Sequence, residues 1–234
     1  MIKHTFVLLL LAAVSGFAFA QAAQPHAWVE GKDYFAIPNP QPTNHPDQVV
    51  VTEVFSFGCP ACNHFEPFID KLRAELPKGT VLEFIPASWH PNEDWPLFQR
   101  TYFTAKALGL DNPKSHDAMF KAIWGPNGAL QTYDQGTQLP KAEKDLPKLA
   151  DVAKFYAQFG AKPADFIATA NSFSVNMDMK RADKQIMAWG VDSTPTLVID
   201  GKWRLTPAST QGAQQAVDAT LFLVNRELAA KKAK

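Results

Sequence analysis

The chain has 234 residues, with 23 basic and 23 acidic side chains, so it is formally neutral. That balance gives no electrostatic reason to expect nucleic acid or an anionic membrane as a partner. The length suffices to bury a core in one domain, or in a core with an inserted subdomain, without disulfide staples, and the chain holds only two cysteines.

Taken in chain order, residues 1–20 join a basic start (Lys3, His4) to the apolar stretch Phe6–Leu11 and end on Ala18-Phe19-Ala20. This is the pattern of a cleaved secretory signal. The apolar stretch is too short to span a bilayer comfortably and is interrupted by Ser15-Gly16. Cleavage is expected after Ala20, with Ala23 as the second choice. No cysteine follows to carry a lipid anchor. The mature chain, with 22 basic and 23 acidic residues, is expected in an exported compartment, the periplasm of a Gram-negative bacterium.

Residues 39–47, rich in Pro and Asn, read as a loop. Residues 49–57 form a nearly continuous β-branched and aromatic run, the signature of a central strand covered on both faces. Glu53 interrupts that run, and a carboxylate there is costly unless it has a partner or a task. A helix is expected from the cysteine pair to about Leu76, kinked at Pro67. After the turn at Pro77-Lys78-Gly79, residues 81–88 read as a second core strand. From about residue 96 to 189 the spacing turns helical, with segments near 97–108, 115–124, 149–159, 163–171 and 175–189. Phe98, Tyr102, Phe103, Phe120 and Trp124 are expected in that helical core. Residues 196–199, the turn Asp200-Gly201 and residues 202–205 predict a strand, a tight turn and a strand. A closing helix is expected at about 210–228, before a frayed Lys/Ala tail. The pattern is α/β: a mixed sheet interrupted by a helical insertion.

Cys59-Pro60-Ala61-Cys62 stands where the first core strand gives way to a helix. Two thiols at this spacing can close and reopen a small disulfide ring, and in an exported chain they serve chemistry rather than a framework. Zinc would need further ligands, and the histidines are scattered. Haem attachment would need His at position 63, which is Asn. A structural disulfide across so short a loop gains little closure entropy. At a helix start, unpaired N–H groups and the helix dipole favour an anion, so Cys59 is expected to be an exposed, attacking thiolate. Pro60 suits the first helical position. Cys62, one turn on, is expected to be the buried, resolving sulfur. His64 reads as a solvated helix residue pointing away from Cys59, and His90 as a loop residue.

Together these residues resemble the thioredoxin superfamily, most closely the periplasmic DsbA-like thiol:disulfide oxidoreductases. The resemblance rests on Phe55-Ser56-Phe57-Gly58-Cys59-Pro60-Ala61-Cys62, on Gly190-Val191 with Thr194-Pro195-Thr196, and on Ile199-Asp200-Gly201-Lys202. It covers about residues 34–228. It implies a thioredoxin-like mixed sheet with an inserted helical domain, divided as signal 1–20, core 21–95, insertion 96–189 and core 190–234. It further implies that Thr194-Pro195 is a cis bond facing the cysteines, where it presents backbone to an extended substrate strand. Glu53 falls where the family often holds a buried acid, suited to accept the Cys62 proton.

The implied activity is a dithiol oxidase that donates the Cys59–Cys62 disulfide to reduced exported proteins and is reoxidised by a DsbB-type membrane quinone reductase. No cofactor beyond that disulfide and no metal is implied. A monomer is expected, since no dimerisation domain fits ahead of Tyr34. A disulfide isomerase or reductase, or a chaperone-like binder of unfolded proteins, remains as an alternative. Two departures from the family matter. Ala61 replaces the histidine of its best-known members, and Thr194 replaces the common valine, bringing a hydroxyl that can meet a sulfur. The Pro60-Ala61 dipeptide is accordingly expected to tune the couple, with a thiolate pKa above about 3.5 and a potential less oxidising than about −120 mV.

Overall fold

The computed structural model describes residues 27–137 and 139–233. The expected signal segment and both cleavage positions lie outside them. A sheet of five strands has the order β1-β5-β4-β2-β3, with β1 at Phe35–Ala36, β2 at Val49–Phe55, β3 at Thr80–Pro86, β4 at Thr196–Ile199 and β5 at Trp203–Leu205. Strand β2 is an inner strand, flanked by β4 and β3, and every one of its residues is buried. It runs parallel to β3 and antiparallel to β4, so the sheet is mixed, as expected. Helix α1, Pro60–Glu75, makes the crossover between the parallel pair.

Strand β2 stops two residues short of the expected end. Ser56 turns the chain: its carbonyl accepts the Cys59 N–H at 3.0 Å and its hydroxyl accepts the Gly58 N–H at 3.1 Å. Cys59 is the N-cap of α1 in extended conformation, and Pro60 occupies the first turn, where a missing N–H removes no helical bond. Cys62, Phe65, Ile69 and Leu72 form the buried face, at the three- and four-residue spacing that puts side chains on one side of a helix. The helix continues through Pro67 to Glu75.

Between β3 and β4 the chain forms α2 (Trp95–Ala107), α3 (Pro113–Trp124), α4 (Leu149–Tyr156), α5 (Pro163–Ala170) and α6 (Phe173–Ala188). Three of these start two residues before their expected positions, for local reasons. Asp94 turns the chain in a left-handed conformation (φ 58°) ahead of α2. Asn112 and Ser115 cap α3 reciprocally, and Ser172 accepts the Val175 N–H ahead of α6. After β4, Asp200 and Gly201 both have positive φ (51° and 63°), as a two-residue hairpin turn requires.

Helix α7, Ala213–Lys232, starts later and ends later than expected. Gln211 and Gly212 with positive φ delay it. Its lysine-rich end stays helical, with Lys231 Nζ 3.0 Å from the Pro46 carbonyl and 3.4 Å from Asp200.

Two apolar clusters cover the sheet. One joins Val49 and Val51 to Phe65, Ile69 and Leu72 of α1 and to Val217, Leu223 and Val224 of α7. The other gathers Phe55 and Phe57 with Phe98, Tyr102, Phe120, Tyr156 and Phe166 of the helices. Phe98, Tyr102 and Phe120 are buried, while Phe103 and Trp124 are partly buried against that cluster. Each fully buried side chain such as Ile69 or Leu72 contributes about 2 kcal/mol of burial free energy.

Candidate active site

Both cysteines belong to the second of these clusters, the one that holds Phe55 and Phe57, and are free thiols. Cys62 is fully buried and Cys59 is only 5 % exposed. Cys59 is thus more sheltered than the exposed sulfur expected, because the segment before β4 lies across it. The Thr194 carbonyl oxygen is 3.6 Å from Cys59 Sγ, and the Thr194–Pro195 bond is cis. The Cys62 N–H donates to Cys59 Sγ at 3.4 Å.

These contacts separate the two thiols electrostatically. Cys59 is lowered to about 6, chiefly because the Cys62 thiol donates a hydrogen bond to its sulfur. Burial opposes that shift, while the Thr194 hydroxyl and the N–H groups of Cys62 and Ala61 add to it. The Thr194 carbonyl favours the thiol, whereas the Cys62 thiol first, then the Thr194 hydroxyl and the backbone donors, favour the thiolate, and together they lower Cys59. Cys62 moves the other way, raised by burial first and then by the neighbouring Cys59 and Glu53. The result is an anionic sulfur held beside a protonated one, the pairing that thiol–disulfide exchange needs.

Glu53 lies in the middle of β2, between Phe84 of β3 and Leu197 of β4 in register. Strand alternation gives it the face of Val49 and Val51, which pack against α1. It is fully buried, and neither carboxylate oxygen has a hydrogen bond among the described residues. Burial is the main cause that raises its pKa, with Glu66 and Cys59 adding and Arg73 opposing. Glu53 is therefore a buried acid electrostatically joined to both cysteines.

Beside the cysteines a groove of about 380 Å³ is lined by Ala61, His64, Phe65, Thr194, Pro195 and Pro207, among others. His64 is exposed, as expected, yet it faces this groove rather than turning away from the site. On the opposite flank Trp95 packs onto Gly58: a Cβ there would lie 2.7 Å from Trp95 Cδ1. Trp89 stacks on Trp95, and His90 meets it edge-on at 4.5 Å. The Trp124 indole N–H donates to the Phe57 carbonyl at 2.8 Å.

Sequence reasoning missed Trp95, Glu66 and His116, and it placed Trp124 in the helical core without its hydrogen bond to Phe57. Glu66 alone carried a signal, standing four residues after Cys62 on the same helix.

A sheet of this order, with a helix-capped dithiol set against a cis-proline, defines a thiol–disulfide oxidoreductase of the thioredoxin fold. Comparison with known proteins agrees. The sequence pattern of the Thioredoxin family matches residues 45–219. The chain is 30 % identical over 226 residues to the thiol:disulfide interchange protein DsbA of Pseudomonas aeruginosa, covering 96 % of this chain and 98 % of that one. It is 29 % identical to the DsbA of Burkholderia cepacia over 94 % of each chain. Among solved structures, oxidoreductase DsbA from Xylella fastidiosa superposes with a TM-score of 0.74 at 29 % identity, covering 87 % of this chain and all of that one. The chain belongs to the thioredoxin family and is a DsbA-like thiol:disulfide oxidoreductase.

Proposed function

We propose that this protein is a periplasmic dithiol oxidase that hands its Cys59–Cys62 disulfide to reduced exported proteins. In this reading a client thiolate bonds to Cys59, and Cys62 leaves with the electron pair of the broken S–S bond. The second client thiol then attacks the mixed disulfide and releases Cys59 as a thiolate. Cys62 is the sulfur that resolves mixed disulfides in the reverse direction. Glu53 supplies and recovers the Cys62 proton, a role suited to an acid that burial keeps protonated. Thr194 and Pro195 present backbone to an extended client segment lying in the adjoining groove. Pro60 and Ala61 set the strength of the couple.

The observation that carries this reading is the cysteine pair at the start of α1, with Cys59 as N-cap and its sulfur 3.6 Å from the Thr194 carbonyl of the cis Thr194–Pro195 bond. In that setting Cys59 is lowered to about 6 and Cys62 raised. Stabilising the Cys59 thiolate stabilises the reduced protein and so makes its disulfide a better oxidant. Electrons would pass on to a DsbB-type membrane quinone reductase. The redox group is the cysteine pair itself, with no other cofactor and no metal. The chain would act as a monomer, after removal of residues 1–20, with residues 96–189 as a helical insertion in a core of residues 21–95 and 190–234.

Equilibration of the mature protein in glutathione buffers tests the direction of electron flow. A potential between about −200 and −120 mV supports disulfide donation; one near −270 mV makes the protein a reductant and overturns the reading.

A further inference from the structure

Reduction of the disulfide leaves Cys62 as a thiol, so one proton must reach a sulfur with no exposed surface. Glu53 is equally enclosed and needs its own supply. Glu66 follows Cys62 by four residues and so shares its face of α1; its charge is the largest neighbouring charge acting on Glu53. Beyond it, His116 Nε2 of α3 lies 3.5 Å from Glu66 Oε1, with the two side chains 5 % and 15 % exposed.

His116 is otherwise enclosed by Phe55, Phe57, Phe84 and Phe120, at ring-centroid distances of 5.1, 5.0, 4.7 and 5.4 Å. Neither ring nitrogen makes a hydrogen bond among the described residues. An apolar side chain would fill such a cage at lower cost, because a buried polar group without hydrogen bonds is unfavourable. His116 is 5 % exposed and lines a surface cleft of about 230 Å³. Arg73 of α1, Glu83 of β3, Tyr102 and Lys106 of α2 and Asp111 ahead of α3 face the same cleft, and Lys106 is exposed.

We propose that His116 relays protons between water in this cleft and Cys62, acting through Glu66 and Glu53. The proposal rests on the Glu53 role given above. The step balances: the client thiolate bonds to Cys59, the Cys59–Cys62 bond breaks, and its electron pair leaves on Cys62. Cys62 takes the Glu53 proton, Glu53 recovers one through Glu66 from His116, and His116 takes one from water. Oxidation reverses the flow. His116 never touches sulfur, so it is a positioning residue for the proton and not a catalytic one.

Stopped-flow reduction of the oxidised, full-length mature protein by dithiothreitol, followed by tryptophan fluorescence, tests the relay. His116→Phe keeps the cage filled, whereas His116→Ala leaves room for free imidazole; circular dichroism checks that both fold. The expected result is slowing on the order of 10²-fold in both variants at neutral pH, with added imidazole restoring His116→Ala and leaving His116→Phe slow. Wild-type rates in His116→Phe overturn the proposal, as does slowing of both variants that imidazole leaves unchanged, which assigns His116 to packing. Glu53→Gln separates the two levels. If it slows reduction while His116→Phe does not, the relay alone fails; if Glu53→Gln reacts at the wild-type rate, the underlying role of Glu53 fails and the relay with it.

Discussion

Trp95 and Gly58 touch so closely that position 58 has no room for a β-carbon: one would lie 2.7 Å from Trp95 Cδ1, 2.8 Å from Nε1 and 3.3 Å from the Glu93 carbonyl oxygen. Trp95 is buried in the core cluster, with Trp89 and His90 against its ring, so a shift of the ring disturbs those contacts too. The turn that delivers Cys59 to the helix start is therefore fixed from outside by an aromatic ring.

Gly58→Ala is expected to overpack this contact and destabilise the protein by about 1–3 kcal/mol. For a domain of this size that lowers Tm by about 2–4 °C per kcal/mol. Thermal unfolding of the reduced variant checks it, and an unchanged Tm would show that Trp95 yields.

The Cys59 thiolate gives the reduced protein a pH dependence that the oxidised protein lacks. The folded thiol titrates at about 6 against an ordinary value of 9.0. Because the folded value is depressed, the added stability is complete above pH 9 and is lost as pH falls through 6. Across that window the reduced protein should lose up to about 4 kcal/mol relative to the oxidised one, at 1.36 kcal/mol per unit. Urea unfolding of both forms at several pH values measures this difference. A gap that stays constant over the window would contradict the thiolate assignment.

Removing the Thr194 hydroxyl isolates its share of the thiolate stabilisation. Thr194→Val takes away one donor to Cys59 Sγ and keeps the shape and the backbone carbonyl. Cys59 should titrate about one unit higher, and the potential should fall by about 30 mV toward the reducing side. Ultraviolet absorbance of the thiolate and glutathione equilibration read the two quantities independently. A shift in one without the other would break the link between thiolate stability and oxidising strength.

The elements that sequence reasoning located carry their information locally. Strand β2 is a run of β-branched and aromatic residues, and the helix start is marked by a cysteine pair around a proline. The mixed sheet and the thiol–disulfide chemistry followed from these. What escaped depends on three-dimensional neighbours. The shelter of Cys59 comes from Thr194, which is far away in the chain, and the roles of Trp95 and Trp124 arise only once α2 and α3 have docked. Nothing in the local sequence sets His116 apart; only packing reveals that its surroundings are four phenylalanines and one carboxylate. The lysine-rich tail was expected to fray on composition, yet its contacts to Pro46 and Asp200 hold it helical.

Cys59 and Thr194 meet across 135 positions of sequence. In a chain that emerges N-terminus first, the thiol pair therefore arrives long before the residue that covers it, with the whole α2–α6 segment still to come. During that interval the cysteines lack both the Thr194 hydroxyl and the groove wall. At that stage the pair is an ordinary unfolded dithiol. The oxidising strength of the pair is therefore a property of the completed fold, acquired only when Thr194 closes over Cys59.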